Sequence, residues 1–237
     1  MKLLKWDTLP PQMKNDRVKE YYAILQKRKG QLILKRIFDI VVSLLMLIVL
    51  FPALLLIAVI IKIDSRGPVF YRQTRITQYG REFRIYKFRT MVQNADAIGT
   101  QVTVNNDSRV TRIGAFLRKY RIDEISQLID VLRGTMTFVG VRPEVPKYVN
   151  EYTDEMMATL LLPAGITSIT SIFYKDESIL LDAAKDVDKT YIETVMPQKM
   201  EYNLKSIKEF SFLNDIRVMF MTVAAVLGKD YEEKTTD

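Results

Sequence analysis

The sequence predicts an α+β fold that is mostly helical, with a re-entrant membrane helix hairpin and a compact cytoplasmic domain that contains a small β-element and interfacial amphipathic helices. Three observations predict it: one long uncharged apolar run, helical spacing of apolar residues on both sides of that run, and only two short segments of strand character. The chain of 237 residues divides accordingly into a basic N-terminal amphipathic segment (1–36), a membrane helix (37–64), the cytoplasmic domain (65–230) and a tail (231–237).

The apolar run covers residues 40–61 and carries no charge. A run of about 18 or more such residues is long enough to cross the roughly 30 Å hydrocarbon core as a helix. Pro52, just past the middle, removes a backbone donor and clashes with the preceding turn. Both flanks are basic: Lys35 and Arg36 precede the run, and Lys62 and Arg66 follow it. Because Lys and Arg are enriched on cytoplasmic flanks, we predict a re-entrant helix bent at Pro52 with both ends in the cytoplasm; the alternative is a straight spanning helix.

The chain contains no Cys and no His. The absence of Cys excludes a disulfide framework and a thiolate zinc site, and the absence of His excludes Ser-His and Cys-His triads and histidine metal sites. Any acid, base or nucleophile must therefore be Asp, Glu, Lys, Tyr, Ser or Thr. Any metal site must be a hard, oxygen-ligated one, such as a site for Mg²⁺.

The net charge of +7 is unevenly distributed. Residues 1–36 hold ten basic residues against three acidic ones, residues 62–121 thirteen against four, and residues 122–237 twelve against twenty. The basic parts therefore bracket the apolar run, as expected for contact with the anionic headgroups of a lipid bilayer or with phosphorylated substrates. No nucleic-acid-binding motif is visible, so we expect no nucleic acid among the partners.

Two features precede or open the apolar run. Residues 13–29 place apolar side chains at helical spacing, which predicts an amphipathic helix that lies on the membrane surface or packs on the domain. Asp39 lies at the mouth of the run, where an acid needs a partner. Lys35 or Arg36, one turn away, is the candidate.

The segment after the run predicts the β-element. Strands are expected at 69–71 and 83–88, next to the turn signals Arg66-Gly67-Pro68 and Tyr79-Gly80. Residues 92–112 predict a polar loop.

Helical periodicity returns at residue 113. One apolar stripe covers 113–117, and a second covers 122–132 and ends at Gly134. A further helix is expected from about Pro146. Residues 163–174 are β-branched and predict extended chain, and residues 207–227 predict an amphipathic helix in the membrane interface or against the hairpin.

The adjacent carboxylates Asp123 and Glu124 are the most interesting chemical feature. They lie in the predicted first turn of a helix, where an anion is stabilised and a phosphate would also bind. Basic residues surround them in sequence: Arg112, Arg118, Lys119, Arg121 and Arg142. Of these, Arg112, Arg118 and Arg142 are candidate phosphate-binding residues. An ionised Asp held among cations, with Mg²⁺, can attack a phosphorus atom; the simpler interpretation is that the two acids only cap the helix.

Two further basic segments can either bind phosphate or have an ordinary structural role. Lys87-Phe88-Arg89 can bind phosphate oxygens or form a solvated strand edge. Arg142-Pro143 can hold a guanidinium rigidly toward a diphosphate or be an ordinary turn. None of these signals is specific alone.

Together the motifs are specific. The chain reads KRIFDIVVSLL and, after the proline, IIKIDSRGPVFYRQTR, then YGREFRIYKFRTM, then DSRVTRIGAFLRKYRIDEISQLIDVLRGTMTFVGVRPEVPKY. In this order they resemble the bacterial sugar transferase family, the monotopic polyprenyl-phosphate phosphoglycosyl transferases, over about residues 31–227. The resemblance implies a membrane-bound enzyme on the cytoplasmic face of the bacterial inner membrane. Such an enzyme transfers a phosphosugar from a nucleoside-diphosphate sugar, usually a UDP-sugar, to undecaprenyl phosphate, releases the nucleoside monophosphate, and starts the assembly of a polysaccharide or glycoconjugate.

The resemblance also implies roles for individual residues. Asp123 matches the nucleophile that forms a covalent phosphosugar intermediate with Mg²⁺ nearby, and Glu124 matches its partner toward the acceptor phosphate. Positions used for phosphate or nucleotide contacts are matched by Lys87, Arg118 and Arg142, and Pro52 matches the helix break. The chain departs from the commonest pattern at Phe51, Val141 and Asn203.

Partners and an alternative follow from the same resemblance. The expected partners are the UDP-sugar, undecaprenyl phosphate and the bilayer, together with a possible homo-oligomer and downstream glycosyltransferases. The alternative is a catalytically inactive membrane scaffold or regulator of polysaccharide assembly that kept the fold.

Overall fold

A computed structural model describes residues 1–93, 95, 107–174, 184, 186–229 and 231. The predicted tail, apart from residue 231, and part of the predicted loop 92–112 lie outside these residues. As predicted, the described chain is mostly helical. Its α-helices are α1 (Asp16–Lys27), α2 (Lys29–Asp64), α3 (Arg112–Lys119), α4 (Leu128–Arg133), α5 (Pro146–Val149), α6 (Ile169–Phe173), α7 (Val187–Thr190), α8 (Met196–Lys208) and α9 (Phe212–Val226). Short 3-10 helices cover Trp6–Thr8, Pro11–Met13, Gln78–Gly80, Ile122–Gln127 and Met156–Leu161, and a π-helical turn covers Tyr191–Val195.

The described strands form three two-stranded sheets. They are β1 (Phe70–Tyr71), β2 (Thr74–Ile76), β3 (Glu82–Arg84), β4 (Lys87–Phe88), β5 (Met136–Val139) and β6 (Ala164–Thr167). β1 pairs with β4 and β2 with β3, both antiparallel, whereas β5 and β6 are parallel. The single strand predicted at 83–88 is wrong, because Ile85 donates its N–H to Gln73 while the N–H of Tyr86 turns to the Asp130 carboxylate. β3 and β4 therefore belong to different sheets.

Two further element boundaries differ from the prediction because a serine caps the start of a helix there. The segment 163–174 is extended only as far as β6, because the Ser168 hydroxyl accepts a hydrogen bond from Ser171 N and starts α6. The helix predicted over 207–227 is interrupted after Lys208, where the Ser211 hydroxyl caps the start of α9. Ser caps offer the backbone a local partner at a helix start, and apolar periodicity alone does not reveal them.

The long helix α2 contains the whole apolar run. It has 36 residues, about 54 Å if straight at 1.5 Å per residue. In the described part of the chain it is the one helix long and apolar enough to cross a membrane. Side chains around its middle, such as Val49 and Phe51, are largely exposed. The helix continues through Pro52, so the residues on both sides belong to one helix, and the bend predicted there stays a prediction.

The N-terminal part of α2 is attached to the domain by polar side chains. The Asp39 carboxylate accepts hydrogen bonds from the Thr137 hydroxyl at 2.8 Å and from Phe138 N at 3.3 Å. Lys35 donates to the Val139 carbonyl at 2.8 Å and pairs with Asp215 at 2.6 Å. These hydrogen-bond donors to Asp39 therefore come from β5, whereas the predicted partners Lys35 and Arg36 act on Asp39 through their charge.

The C-terminal end of α2 contacts the same domain. Ile61 is buried in a cluster with Phe88 and Leu117. Arg89 donates to the Ser65 carbonyl at 2.6 Å and to the Ser65 hydroxyl at 2.8 Å, immediately after the helix. Both ends of α2 are thus docked on one folded unit, and Arg36 adds a contact near its start by donating to the carbonyls at the end of α4.

Helix α1 forms where the amphipathic helix was predicted, and its apolar face is buried. Val18, Tyr21 and Leu25 lie in the largest core cluster together with Leu161 and Met200. The alternative that this helix packs on the domain is confirmed, and its placement on the membrane surface stays a prediction. The basic segment 1–36 is therefore part of the domain's core structure.

Candidate active site

Asp123 and Glu124 lie in the 3-10 helix Ile122–Gln127, immediately after an unusual residue. Arg121 has φ 56° and ψ 20°. This left-handed backbone conformation is uncommon for residues other than glycine. The first backbone bond, from Glu124 N to the Arg121 carbonyl at 3.2 Å, already has the i to i+3 spacing of a 3-10 helix. The single α-helix predicted over 122–132 is therefore wrong in its first half, and only the second half is α4.

One lysine joins the two carboxylates. The Lys87 ammonium lies 3.1 Å from the Asp123 carboxylate and 3.1 Å from the Glu124 carboxylate. Arg142 donates to Glu124 at 2.7 Å, and Arg121 lies 3.9 Å from the same oxygen. The side chains of Asp123 and Glu124 are only 3% and 9% exposed. The sequence prediction that cations surround this pair is therefore realised in space by Lys87, Arg121 and Arg142.

These cations decide the ionisation of Glu124. Burial disfavours the charged carboxylate and acts to raise its pKa, but Arg142, Lys87 and Arg121 together outweigh burial and hold the pKa of Glu124 well below its ordinary value. Glu124 is therefore an anion at neutral pH, available to accept hydrogen bonds and unsuited to donate a proton.

The segment that carries the two acids also fixes the backbone next to Lys87. Asp130 on α4 accepts a hydrogen bond from Tyr86 N at 2.7 Å, and the Ser126 hydroxyl donates to the Tyr86 carbonyl at 3.1 Å. Asp130 and Ser126 are both buried. Ser126 and Asp130 therefore help to set the distance between Lys87 and Asp123. The sequence signal for this contact was an acid, Asp130, within the predicted helix.

A cavity of about 550 Å³ opens beside Lys87. Eight cationic residues line it: Arg72, Arg75, Arg84, Lys87, Arg89, Arg109, Arg118 and Arg142. Its described lining contains no Asp or Glu. The carboxylates of Asp123 and Glu124 lie behind Lys87 rather than on the wall. The cavity is therefore suited to a polyanion, which would meet Lys87 before reaching Asp123.

The structure brings several predicted residues to this cavity. Arg118, Arg142 and Pro143 are part of its lining. Arg118 donates from Nε to the Thr90 hydroxyl at 2.8 Å, which holds its guanidinium on the wall.

Two predicted phosphate-binding residues are placed differently. Arg89 reaches the cavity wall, but one amino group binds Ser65, and its Nε and Nη1 are buried with no hydrogen-bond partner among the residues that the structure describes. Arg112 is exposed at the start of α3 and is not part of the described lining. In this structure Arg89 holds the end of α2, and Arg112 is not gathered with the acids.

Arg75 is the main residue that the sequence analysis missed. It donates to the Pro143 carbonyl at 3.0 Å and to the Gln73 side chain at 2.6 Å, so it holds the Arg142-Pro143 turn from the cavity side. The closely spaced arginines at 72 and 75 were the sequence signal for a further phosphate-binding position. The segment between them is too short to show the alternation of a strand.

A profile of the family described as bacterial sugar transferase matches residues 30–229. The chain is 36% identical over 197 residues to UDP-N-acetylgalactosamine-undecaprenyl-phosphate N-acetylgalactosaminephosphotransferase of Aeromonas hydrophila, covering 82% of the chain and 44% of that protein. It is 36% identical over 196 residues to UDP-glucose:undecaprenyl-phosphate glucose-1-phosphate transferase of Escherichia coli K12, covering 81% and 39%. It is 30% identical over 221 residues to undecaprenyl-phosphate galactose phosphotransferase of Salmonella typhimurium, covering 87% and 43%.

The chain thus spans less than half the length of these three relatives. The family profile, however, covers α2, the cation-lined cavity and the Asp123-Glu124 pair together. The chain belongs to the bacterial sugar transferase family.

Proposed function

We propose that the chain transfers a phosphosugar from a UDP-sugar to undecaprenyl phosphate and releases UMP, as the first membrane step of polysaccharide or glycoconjugate assembly. The observation that carries this proposal is the buried Asp123-Glu124 pair bridged by Lys87 at the wall of a cation-lined cavity. Relatives that match over more than four fifths of the chain are named for this class of transfer to undecaprenyl phosphate.

The charge of the cavity supports a nucleoside diphosphate as the donor. A diphosphate carries its negative charge on closely spaced oxygens, and arginine forks bind such oxygens with two hydrogen bonds each. Arg118, Arg142 and Lys87 line the same cavity, and we propose that all three contact the diphosphate. A neutral sugar would gain nothing from this charge.

Asp123 is the proposed nucleophile. Its carboxylate oxygen attacks the phosphorus that bears the sugar, a bond forms between that oxygen and phosphorus, and the bridging bond of the diphosphate breaks to release UMP. Lys87 lies between the cavity and Asp123, so the arriving phosphate competes for the Lys87 ammonium and frees the Asp123 carboxylate. In the second half, an oxygen of undecaprenyl phosphate attacks the same phosphorus and returns Asp123 as a carboxylate.

Glu124 is the proposed orienting group for the acceptor phosphate. A carboxylate whose pKa is held well below its ordinary value is a weak base. Its fixed contacts with Arg142 and Lys87 make it instead an anchor that keeps both cations aimed at the reacting phosphate. We place it in this role for both halves of the cycle.

Mg²⁺ is the proposed cofactor. Among the described residues no group of three or more His, Cys, Asp or Glu side chains is gathered, but Mg²⁺ is often bound by one or two carboxylates together with substrate phosphates. Asp123 fits this donor set, with the diphosphate supplying the remaining oxygens. Bound Mg²⁺ would neutralise charge on the transferred phosphate.

The proposed location is the cytoplasmic face of the bacterial inner membrane, with α2 re-entering on the side from which it came. A spanning helix would separate its ends by the roughly 30 Å hydrocarbon core. Both ends of α2 contact the same polar domain, through Lys35 and Asp39 at one end and Ile61 at the other. Spanning would draw that domain into the bilayer, which supports the re-entrant path.

This topology predicts that positions 14 and 66 lie on one side of the membrane. The chain has no Cys, so Lys14→Cys and Arg66→Cys each introduce a single thiol at an exposed position. A membrane-impermeant maleimide should label neither variant in intact spheroplasts and both after permeabilisation, with a permeant maleimide as the reactivity control. Labelling of only one variant in intact spheroplasts would show that α2 spans the membrane.

The reaction itself is tested by UMP release from a panel of UDP-sugars with undecaprenyl phosphate. The panel includes the N-acetylgalactosamine, glucose and galactose donors suggested by the names of the relatives. We expect release with at least one donor in the presence of Mg²⁺ and loss of release when EDTA is added. A folded chain that releases no UMP from any donor would contradict the proposal and favour the inactive scaffold.

A further inference from the structure

Three polar side chains that are buried or nearly so form a cluster next to the cavity but outside the site described above. The Tyr191 hydroxyl donates to the Glu144 carboxylate, and the Lys199 ammonium donates to the Tyr191 hydroxyl at 3.3 Å. Lys199 also lies 3.9 Å from Glu144, and the side chains of both are 11% exposed. The proposed chemistry uses none of these three residues, although burying such groups is costly unless they are paired.

The cluster holds one end of the turn that carries Arg142. Glu144 is two residues after Arg142, and its carbonyl accepts a hydrogen bond from Ile76 N at 2.8 Å. Pro143, between them, accepts from Arg75. The backbone is therefore fixed by β2 on one side, while the Glu144 side chain is fixed by Tyr191 and Lys199 on the other.

Tyr191 reaches Glu144 from an irregular point in its helix. A π-helical turn, Tyr191–Val195, lies between α7 and α8 and is followed by Pro197. Proline lacks the N–H that a regular α-helical turn would use at that position, and such π-turns change the direction of side chains and are frequent at functional sites. The turn places the Tyr191 ring against the Tyr148 ring, with 4.5 Å between the ring centroids, and the Tyr191 hydroxyl against the Glu144 carboxylate.

We propose that Tyr191, Glu144 and Lys199 act as positioning residues for the donor: they set the orientation of the Arg142-Pro143 turn and thereby the guanidinium that Arg142 presents to the donor diphosphate. This inference rests on the proposed function, because Arg142 is taken as a donor contact. Tyr191 holds the Glu144 carboxylate, and Glu144 in turn holds the end of the turn. Arg142, on the same turn, donates to Glu124 at 2.7 Å. Loss of the Tyr191 hydroxyl releases one side of the turn and leaves Lys87 and Asp123 untouched.

Tyr191→Phe tests the proposal, with Tyr148→Phe as the matched control. The Tyr148 hydroxyl donates to Asp188 rather than to Glu144, so the control removes a hydroxyl from the neighbouring ring of the same stack. We expect Tyr191→Phe to raise the KM for the UDP-sugar and the Kd for UDP about tenfold, the scale of one hydrogen bond to a charged group. The KM for undecaprenyl phosphate should rise less than the KM for the donor, and the Tm should stay close to that of the unchanged chain. Tyr148→Phe should leave the KM and Kd for the donor unchanged.

A second variant separates positioning from general loosening. Glu144→Gln should weaken UDP binding to a similar degree, and the double variant should be no weaker than either single one, because both act on one contact. Unchanged UDP binding in Tyr191→Phe, or equal losses for donor, acceptor and Tm, would overturn the proposal. UDP binding is measured without turnover, so a chain that binds UDP but releases no UMP would contradict the proposed function and still test this inference; a chain that binds no UDP would contradict both.

Discussion

Replacing Asp123 by Asn is expected to abolish both UMP release and covalent labelling of the chain by the UDP-sugar. An amide has no anionic oxygen with which to form the bond to phosphorus, so we expect a loss of at least about a thousandfold. Glu124 still pairs with Lys87 in this variant, so the fold should be kept. UMP release measures turnover, and mass spectrometry of the intact chain after mixing with donor alone measures the intermediate.

The matched control is Asp188→Asn. Asp188 carries the same side chain in an ion pair with Lys147 at 2.5 Å, is about half exposed, and is not part of the cavity lining. It should keep the activity of the unchanged chain. Full turnover or labelling by Asp123→Asn would exclude Asp123 as the nucleophile.

Replacing Lys87 by Met is expected to have the second largest effect. Met keeps the length of the side chain but removes the cation that contacts both buried carboxylates, so Asp123 would face the donor phosphate without it. The Lys87 side chain is 27% exposed, so we take the low end, about 3 kcal/mol, of the cost of breaking a buried charge pair; this is about a hundredfold in kcat/KM where the pair acts in the transition state. Steady-state UMP release measures the effect.

Two further variants serve as controls for Lys87→Met. Lys147→Met removes an exposed lysine from a surface ion pair and should leave kcat/KM unchanged, since such pairs contribute little. Lys87→Arg keeps the charge and should retain part of the activity. If Lys87→Met matched the unchanged chain, the bridging lysine would have no part in the reaction.

The features that could be predicted from the sequence are those whose signal is local. Asp123 and Glu124 are adjacent, α2 follows from an unbroken apolar run, and α3 follows from its apolar stripe. The cations near the acids were also expected from the order of the motifs. Sequence proximity alone does not place a side chain, however, as the exposed Arg112 shows.

The features that could not be predicted depend on partners far apart in the chain. Asp39 meets Thr137 across 98 positions, whereas sequence reasoning could offer only neighbours one turn away. The break between β3 and β4 depends on Asp130, which lies 44 positions beyond Tyr86. The 3-10 helix Ile122–Gln127 follows Arg121, whose backbone is left-handed. A left-handed backbone cannot be predicted from the presence of an arginine.

The attachment of α2 has a consequence for the order in which the chain is made. Lys35 on α2 is translated before its partner, because the Asp215 carboxylate that pairs with it is 180 positions further along. At about 5 to 20 residues per second, Lys35 waits on the order of ten to forty seconds for this partner. The contact that attaches the start of α2 to the domain through Lys35 therefore forms only after Asp215 on α9 has been translated, well after α2 itself.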